Sequence, residues 1–289
     1  MSRLVASGLV RFCVRRLLSS GSTRAVSSLT IREQEDGIRR IILNNPKKRN
    51  ALSLAMLNSL REDILTDLDN NNLRVIIISA QGPVFSSGHD LKELTSAQGR
   101  EYHTSVFQAC SEVMAAIQDA PVPVIAMVNG IATAAGCQLV ASCDIAVATD
   151  KSTFATPGVN VGLFCSTPGV ALGRAVPRKV AMEMLFTGRP ITAHEALLHG
   201  LVSKVVSEAH LEEETLGIAR RVCESSRPVV AMGKATFQRQ MAQPRDVAYA
   251  TATAVMVDNL SLRDGQEGIR AFIEKRRPVW TNSDEKAHD

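Results

Sequence analysis

The strongest constraint on the fold is a regular alternation of short β-branched runs with longer amphipathic segments, which begins near residue 37. Residues 38–43 and 75–79 are rich in isoleucine and valine, which favours buried strands. Between them, Ser53 can cap a helix that reaches about residue 69, because leucine and isoleucine recur there at helical spacing. Strands that alternate with helices favour a layered α/β fold. At 289 residues, the chain is long enough for two domains or for one larger α/β domain.

The alternation continues through the middle of the chain and then gives way to helices. It predicts further strands over 122–128, 144–148 and 153–161, and further helices over 98–119 and 134–143. After Pro168, one short strand is expected over 202–206, and helices are expected over 168–176, 178–186, 193–199, 209–225, 228–240, 243–262 and 265–275. We therefore predict an α/β body over 29–205 and a helical C-terminal region over 206–289.

The N-terminal segment over 1–28 differs in composition from the rest of the chain. Residues 1–32 contain six arginines and no acidic residue, so the net charge of +4 becomes −2 over residues 33–289. Spaced arginines, serines and aliphatic residues are typical of a mitochondrial transit peptide, whereas Arg11, Arg15 and Arg16 would interrupt a secretory signal. We predict import into the mitochondrial matrix; a disordered basic tail is the alternative. The charge of the remainder argues against nucleic acid as a partner.

Other features of the sequence exclude several classes of protein. Residues 120–143 carry no charge, but Pro121, Pro123 and Gly130 favour a strand followed by a helix, so we expect no membrane insertion. The six cysteines are scattered, which suits free thiols in a reducing compartment. G-x-G-x-x-G, G-x-x-x-x-G-K-[ST] and G-x-S-x-G motifs are absent, and metal-ligand spacing is missing. We therefore expect no bound metal and no dinucleotide, P-loop or α/β-hydrolase site.

Two glycine-containing segments are candidates for a ligand site. The first reads F-S-S-G-H-D-L-K-E-L over 85–94, and the second reads V-N-G-I-A-T-A-A-G-C-Q-L over 128–139, at a predicted strand-to-helix junction. Each could present a backbone N–H group to a shared cleft, and a helix N-terminus favours negative charge. Two such donors would form an oxyanion hole for a thioester carbonyl or an enolate. Tight turns alone would also explain these glycines.

These segments belong to a series of motifs in one order along the chain. The others are L-N-N-P-K-K-R-N-A-L over 43–52, V-I-A-M-V-N-G over 124–130, C-D-I-A-V-A over 143–148, A-M-E-M-L-F-T-G over 181–188, I-T-A-H-E-A-L-L-H-G-L-V-S-K-V-V over 191–206 and E-G-I-R-A-F-I-E-K-R-R-P over 267–278. Because of these motifs, the sequence resembles the enoyl-CoA hydratase/isomerase (crotonase) superfamily over almost its whole mature length. The resemblance implies a spiral of ββα units, a helical C-terminal trimerisation region, a homotrimer or hexamer, and a coenzyme A thioester as ligand without a further cofactor.

The resemblance also assigns residues to the ligand. The oxyanion donors would be the backbone N–H groups of His89 and Ala135. Segment 49–52 would meet the adenine, and Phe272 and Lys275 match C-terminal positions that reach CoA, in many relatives across a subunit boundary. A lysine suits phosphate as a point charge. The full set of predicted CoA-binding residues is Lys47, Arg49, Ala51, Leu52, Asp90, Leu91, Phe272 and Lys275; Asp90 could also have a loop-capping role.

The sequence departs from the family's pattern where the chemistry would occur. Hydratases of this family use two glutamates as general acid and base, and the matching positions here are Gln138 and Gly158. A glutamine amide cannot transfer a proton near neutral pH, and glycine has no side chain. General acid–base groups are typically worth about 10²–10⁴-fold each, so we expect ordinary hydration of a 2-enoyl-CoA to be nearly abolished. The resemblance therefore provides no catalytic residue for the family's reaction. Cys165 and Ser166 are candidate nucleophiles for a different thioester reaction.

Three functions stay open at this stage. The first is an acyl-CoA-binding protein without hydratase activity, with a role in fatty-acid or acyl-CoA metabolism or its regulation. The second is an enzyme with altered thioester chemistry, a decarboxylase or thioesterase, because an oxyanion hole and positioning alone can catalyse. The third is a trimeric interaction scaffold, including an RNA-binding variant that would use the basic patch of Lys47, Lys48 and Arg49.

Overall fold

The computed structural model of the chain describes residues 28–287. The predicted transit peptide over 1–28 lies outside these residues, apart from Ser28. Cys13 lies outside them as well. The described residues form ten β-strands: β1 Thr30–Glu35, β2 Ile38–Leu43, β3 Val75–Ala80, β4 Val84–Ser86, β5 Val124–Val128, β6 Ile131–Thr133, β7 Ile145–Thr149, β8 Thr153–Ala155, β9 Ile191–Thr192 and β10 Lys204–Val206. They also form ten α-helices: α1 Leu54–Leu65, α2 Gly99–Asp119, α3 Ala135–Ser142, α4 Ser166–Ala175, α5 Arg178–Thr187, α6 Ala193–Leu198, α7 Leu211–Cys223, α8 Arg227–Gln240, α9 Arg245–Ser261 and α10 Arg263–Ile273. None of these helices combines the length and the apolar character that a membrane span requires.

The strands build two sheets that the chain enters in turn. A six-stranded sheet has the order β1, β2, β3, β5, β7, β10, and a four-stranded sheet has the order β4, β6, β8, β9. The pairs β3 and β4, β5 and β6, and β7 and β8 each place one strand in either sheet, and a helix follows each pair. Neighbouring strands run parallel except in the β1–β2 and β8–β9 pairs. This repeated unit confirms the predicted α/β spiral of ββα units.

The six-stranded sheet is covered on both faces. In β3, Ile76 and Ile78 belong to the larger core cluster, whereas Val75 and Ile77 belong to a smaller cluster that includes Leu211 of α7. Successive side chains of a strand point to opposite faces, so this division follows from the pleat. A strand buried on both faces is apolar along its whole length rather than alternating. The predicted strand over 75–79 was recognisable for this reason.

Four strands are not predicted from the sequence. β1 is mostly polar and exposed, and β4, β6 and β9 have only two or three residues each. β1 pairs with β2 through a hairpin at Asp36 and Gly37, whose φ angles of 49° and 82° are typical of a type I′ turn. An edge strand needs to bury little of its surface, so hydrophobic patterning does not reveal it.

The strand predicted over 153–161 is wrong in its second half. β8 ends at Ala155, and Pro157–Val161 forms a 3-10 turn. Because Pro157 has no N–H group to donate to a neighbouring strand, the chain leaves the sheet here. The predicted helix from Ser53 also ends earlier than expected, at Leu65.

Within the described chain, helices α7 to α10 follow β10 as far as Ile273, and a buried carboxylate holds two of them together. Residues 274–287 are not helical. Asp264 at the start of α10 is 1% exposed and accepts a hydrogen bond from Ser226 Oγ at 2.7 Å, at the start of α8. The same carboxylate accepts hydrogen bonds from Thr281 N at 2.8 Å and Asn282 N at 3.1 Å. Asp264 thus joins two helices and the segment after α10. The domain boundary at residue 205 and the trimerisation of this region remain predictions.

Replacing Asp264 with asparagine is expected to lower the free energy of unfolding by about 1–3 kcal/mol at neutral pH, because an amide donor then faces N–H and O–H groups. Burial alone would raise the pKa of Asp264, but hydrogen bonds from Ser226, Thr281 and Asn282 hold that pKa below its ordinary value. The stabilisation is therefore present above the unfolded-state pKa of about 3.9 and is lost as the pH falls through the folded-state pKa. Urea titrations should show the difference between the two proteins shrinking from about pH 7 to about pH 3. An equal difference at both pH values would contradict this assignment.

Candidate functional site

The two glycine-containing segments pack directly against each other. A Cβ atom placed on Gly88, whose φ is +83°, would lie 2.9 Å from Ala134 Cβ and 3.2 Å from Ala135 N. In the second segment, a Cβ atom on Gly136 would lie 2.5 Å from Ser86 O. Protein interiors have no room for such overlaps, so both positions require glycine. The structure therefore brings the predicted donor segments into backbone contact.

The backbone N–H groups of His89 and Ala135 border this contact. Ala135 is the first residue of α3, where N–H groups have no acceptor within the helix. Neither N–H group donates a hydrogen bond to any residue within 28–287. The preceding Ala134 has φ 50°, which is uncommon for a residue with a side chain, and its N–H donates to Ala155 O at 2.9 Å. The end of β8 thus fixes the backbone that presents the Ala135 N–H group.

Gln138 lies one turn into α3 and is buried. Its Oε1 atom lies 3.9 Å from Cys110 Sγ on α2. Burial raises the pKa of Cys110 to about 12, so this thiol stays protonated at neutral pH. The glutamine amide can donate or accept hydrogen bonds but does not exchange protons in this range. This corner of the site therefore offers hydrogen bonds without acid–base chemistry.

Cys165 occupies the space beside Gly158. Gly158 N donates to Cys165 Sγ at 3.3 Å. A Cβ atom on Gly158 would lie 2.8 Å from that sulfur and 2.7 Å from Leu163 O. Any side chain at residue 158 would require the segment 163–165 to move, which is costly in packed structure. The chain is therefore packed at this point so that a glutamate does not fit.

The structure weakens the case for the two alternative nucleophiles. Cys165 is buried, and burial raises the pKa of its thiol, while the hydrogen bond from Gly158 N–H acts in the opposite direction. A cysteine must ionise to act as a good nucleophile. Ser166 begins α4 and is exposed, and its Oγ lies 3.5 Å from Phe164 O. Within the described chain, no imidazole or carboxylate forms a hydrogen bond with Ser166 that would make it more nucleophilic.

The predicted CoA-binding loop lies beside the His89 segment. Leu52 N donates to Gly88 O at 2.8 Å, and Ser87 N donates to Arg49 O at 3.0 Å. Ala51 and Leu52 are buried. The structure therefore places the loop over 49–52 next to the segment that carries the His89 N–H group.

Charged residues at the edge of this loop are partly paired. Lys48 Nζ lies 3.3 Å from Asp90 Oδ2, so part of the basic patch is neutralised locally. The Asp90 side chain also accepts from Lys92 N at 3.1 Å, which is the loop-capping role expected for it. Lys47 and Leu91 are exposed beside them. These side chains line the solvent edge of the site.

Asn50 is a positioning residue that the sequence analysis does not single out. It is fully buried; its Oδ1 accepts from Asn45 N at 2.8 Å, and its Nδ2 donates to Gln81 O at 2.9 Å and Val84 O at 2.8 Å. Arg49 and Asn50 both have left-handed φ angles, 53° and 50°. Asparagine tolerates this conformation better than most residues and replaces backbone hydrogen bonds in tight loops. The only signal in the sequence was an asparagine at the centre of the loop.

Phe272 and Lys275 lie apart from this loop in the single chain. Phe272 is 85% exposed near the end of α10, and Lys275 follows with a left-handed φ of 57°. No hydrogen bond within residues 28–287 joins either residue to the loop over 47–52 or to the segment over 85–91. Their contact with CoA remains a prediction that needs a second subunit.

The His89 side chain is part of the site interior. Its ring packs edge-on against Phe107 of α2, with the ring centroids 5.1 Å apart and an interplanar angle of 76°. Its Nδ1 atom lies 3.2 Å from Leu52 O. Burial lowers the pKa of His89, while the Leu52 carbonyl and Glu93 act to raise it. Burial of this side chain therefore favours the neutral imidazole.

The remaining titratable groups do not suggest a metal centre. Among the described residues, no group of three or more histidine, cysteine, aspartate or glutamate side chains is placed to hold a metal ion. The described cysteines are free thiols: Cys110, Cys137, Cys143, Cys165 and Cys223. Burial raises the pKa of Cys137 to about 12 as well.

The fold and the site define the class of protein. The sequence model of the enoyl-CoA hydratase/isomerase family matches residues 33–283, and the chain belongs to this family. It is 71% identical over 273 residues to the "Enoyl-CoA hydratase domain-containing protein 3, mitochondrial" of Danio rerio, a match that covers 94% of this chain and 93% of that protein. The human protein of the same name is 69% identical over 272 residues, covering 94% of this chain and 90% of that protein.

Solved structures agree with this assignment. The crystal structure of the human enoyl-CoA hydratase domain-containing protein 3 superposes with a TM-score of 0.86 at 72% identity, covering 87% of this chain and 100% of that one. The crystal structure of an enoyl-CoA hydratase from Mycobacterium smegmatis gives a TM-score of 0.85 at 48% identity, covering 87% and 98%. The resemblance and the crotonase fold predicted from the sequence are thereby confirmed.

Proposed function

We propose that this chain is a mitochondrial protein that binds acyl-CoA thioesters and does not hydrate them. The observation that carries the proposal is the pair of N–H groups on His89 and Ala135, which lack acceptors within residues 28–287 and are held by contact between their segments. Two fixed N–H donors can polarise a thioester carbonyl. The loop over 47–52 would hold the CoA portion, with Lys47 as a point charge for phosphate and Arg49 as a donor of paired hydrogen bonds. The mitochondrial names of the relatives support the location.

The proposed lack of hydration follows from Gln138 and Gly158. Neither residue can activate a water or protonate a substrate carbon, and each missing acid–base group costs typically 10²–10⁴-fold in rate. Cys165 fills the space where a second carboxylate would stand. The role we propose is therefore binding in fatty-acid or acyl-CoA metabolism or its regulation. We also propose that the protein lies in the mitochondrial matrix and assembles as a homotrimer or hexamer.

Decarboxylation of a malonyl-type thioester is the second candidate. That reaction needs stabilisation of an enolate more than a strong base, and the N–H groups of His89 and Ala135 would supply it. Hydrolysis through Cys165 is disfavoured, because burial raises the pKa of its thiol. RNA binding is disfavoured as well, because Lys48 of the basic patch is paired with Asp90.

Calorimetric titration of the chain without residues 1–28 tests the proposal. Butyryl-CoA, crotonyl-CoA and malonyl-CoA should each bind about tenfold more tightly than free CoA. The thioester carbonyl accepts hydrogen bonds from the two backbone N–H groups, which together are worth about 1.5 kcal/mol. If no thioester binds, or if free CoA binds equally well, the two N–H groups do not form a thioester site. Malonyl-CoA recovered without its carboxylate would instead favour the second candidate.

Restoring the carboxylates is expected to disrupt packing rather than to create a hydratase. The Gly158→Glu variant should lose about 1–3 kcal/mol of unfolding free energy, because its Cβ would overlap Cys165 Sγ and Leu163 O. Adding Cys165→Ala should recover part of that loss, which urea denaturation would show. The Gln138→Glu/Gly158→Glu variant should hydrate crotonyl-CoA no faster than the parent chain. A stable Gly158→Glu variant that gains hydration would show that residue 158 has free space.

A further inference from the structure

The His89 imidazole is a partly buried polar group that the proposed thioester contact does not use. The proposed carbonyl contact uses only the backbone N–H of this residue. Because the Leu52 carbonyl can only accept, the neutral ring must carry its proton on Nδ1 and donate it there, at 3.2 Å. The Nε2 atom is then a hydrogen-bond acceptor. It is buried and has no partner within the described part of the chain.

The surroundings of the ring fix its position. The contact with Phe107 and the hydrogen bond to Leu52 hold two sides of the imidazole. Only one ring nitrogen of a neutral histidine carries a proton. Because Nδ1 carries that proton here, Nε2 can only accept a hydrogen bond. A buried acceptor without a partner costs stability until a donor reaches it. The arrangement therefore suits a ligand that brings its own O–H group.

The contacts around α2 place this acceptor beside the carbonyl donors. Phe107 and Cys110 are three residues apart, so they lie on one face of the helix. His89 packs on Phe107, and Gln138 contacts Cys110. Gln138 in turn lies one turn along α3 from Ala135. The imidazole and the glutamine amide thus contact neighbouring positions on one face of α2, and each belongs to a segment that carries one of the two N–H groups.

We propose that His89 Nε2 accepts a hydrogen bond from a hydroxyl group on the acyl chain and so makes the site selective for hydroxyacyl thioesters. This inference rests on the proposed function. A single residue would then hold the ligand twice, with its backbone N–H on the carbonyl oxygen and its ring on the hydroxyl. A site built to bind a hydroxyl discriminates strongly against an analogue that lacks it, because its buried acceptor is then left unpaired.

Matched ligands separate this inference from thioester binding itself. The chain without residues 1–28 would be titrated with butyryl-CoA, 2-hydroxybutyryl-CoA and 3-hydroxybutyryl-CoA. At least one hydroxylated ligand should bind about tenfold more tightly than butyryl-CoA, which corresponds to about 1.4 kcal/mol. In His89→Phe, the aromatic ring no longer offers an acceptor, so the hydroxylated ligand should bind no more tightly than butyryl-CoA, whatever the change in the affinity for butyryl-CoA itself.

A control variant and a direct observation cover the case in which His89→Phe folds poorly. Thr156 Oγ1 is another buried polar atom without a partner in the described chain, so Thr156→Val should keep the hydroxyl advantage. In the parent chain, the ¹⁵N resonance of a histidine Nε2 should move when the hydroxylated ligand binds and stay in place with butyryl-CoA. Equal binding of plain and hydroxylated thioesters, or an advantage that survives in His89→Phe, overturns the inference alone. Failure of every thioester to bind overturns the proposed function and this inference together.

Discussion

Replacing Gly88 with alanine is expected to abolish thioester binding and to lower the free energy of unfolding by about 2–5 kcal/mol. Gly88 has φ +83°, a conformation that costs a residue with a side chain roughly 1–2 kcal/mol. The added Cβ would also lie 2.9 Å from both Ala134 Cβ and Thr133 O. Overpacking of this kind typically costs a further 1–3 kcal/mol. The displaced backbone would carry the His89 and Ala135 N–H groups apart, so the carbonyl would lose at least one donor.

Gly99 provides the matched control for this substitution. Its φ of +77° is similar, but a Cβ atom there would meet nothing within 4 Å. Gly99→Ala should therefore lose only the roughly 1–3 kcal/mol that its backbone conformation costs, and should bind thioesters like the parent chain. Urea denaturation and calorimetric titration of both variants make the comparison. Equal stability losses and equal binding would show that Gly88 does not form the close contact described above.

Replacing Lys234 with methionine is expected to lower the free energy of unfolding by about 3–5 kcal/mol. Lys234 Nζ on α8 lies 2.7 Å from Asp144 Oδ2 and donates to Ile117 O at 2.7 Å and Val122 O at 3.0 Å. The side chains of Lys234 and Asp144 are only 8% and 16% exposed. Methionine fills a similar volume but leaves the buried carboxylate without its counter-charge. Because this lysine connects α8 to the ends of α2 and β5, its loss should also loosen the C-terminal helices.

A surface pair on the same chain tests whether burial is the cause. Lys204 forms an ion pair with Glu214, and its side chain is 49% exposed. Lys204→Met should lose less than about 1 kcal/mol, because water and salt screen an exposed pair. Adding Asp144→Asn to Lys234→Met should recover part of the larger loss, since no buried charge then remains. Similar small losses for both lysines in urea denaturation would contradict the role assigned to Lys234.

The sequence predicted those parts of the fold in which local pattern and tertiary environment agree. β3 is buried on both faces, so its continuous run of valine and isoleucine was sufficient. β1 has a polar sequence and acquires strand structure only through its pairing with β2, which no local pattern records. Pro157 marked the true end of β8, but the apolar residues on either side of it outweighed that signal in the prediction.

The candidate site was predictable to the level of segments, not of contacts. Motifs in one order indicated the family and placed the expected donors at His89 and Ala135. The backbone contact of Gly88 with Ala135, and the filling of the Gly158 position by Cys165, depend on tertiary packing between separate segments. The buried acceptor on His89 depends on the hydrogen bond from its ring to Leu52 O, which sequence spacing does not encode.

The fate of bound crotonyl-CoA distinguishes a chain that only holds a thioester from one that adds water to it. The ligand would be incubated with a stoichiometric amount of the chain, recovered and analysed by mass spectrometry beside a protein-free control. We expect calorimetry to show binding, and we expect the recovered crotonyl-CoA to contain no more hydrated product than the protein-free control. A product heavier by the mass of one water, formed faster than in buffer, would contradict this expectation and show that groups other than Gln138 and Gly158 perform hydration.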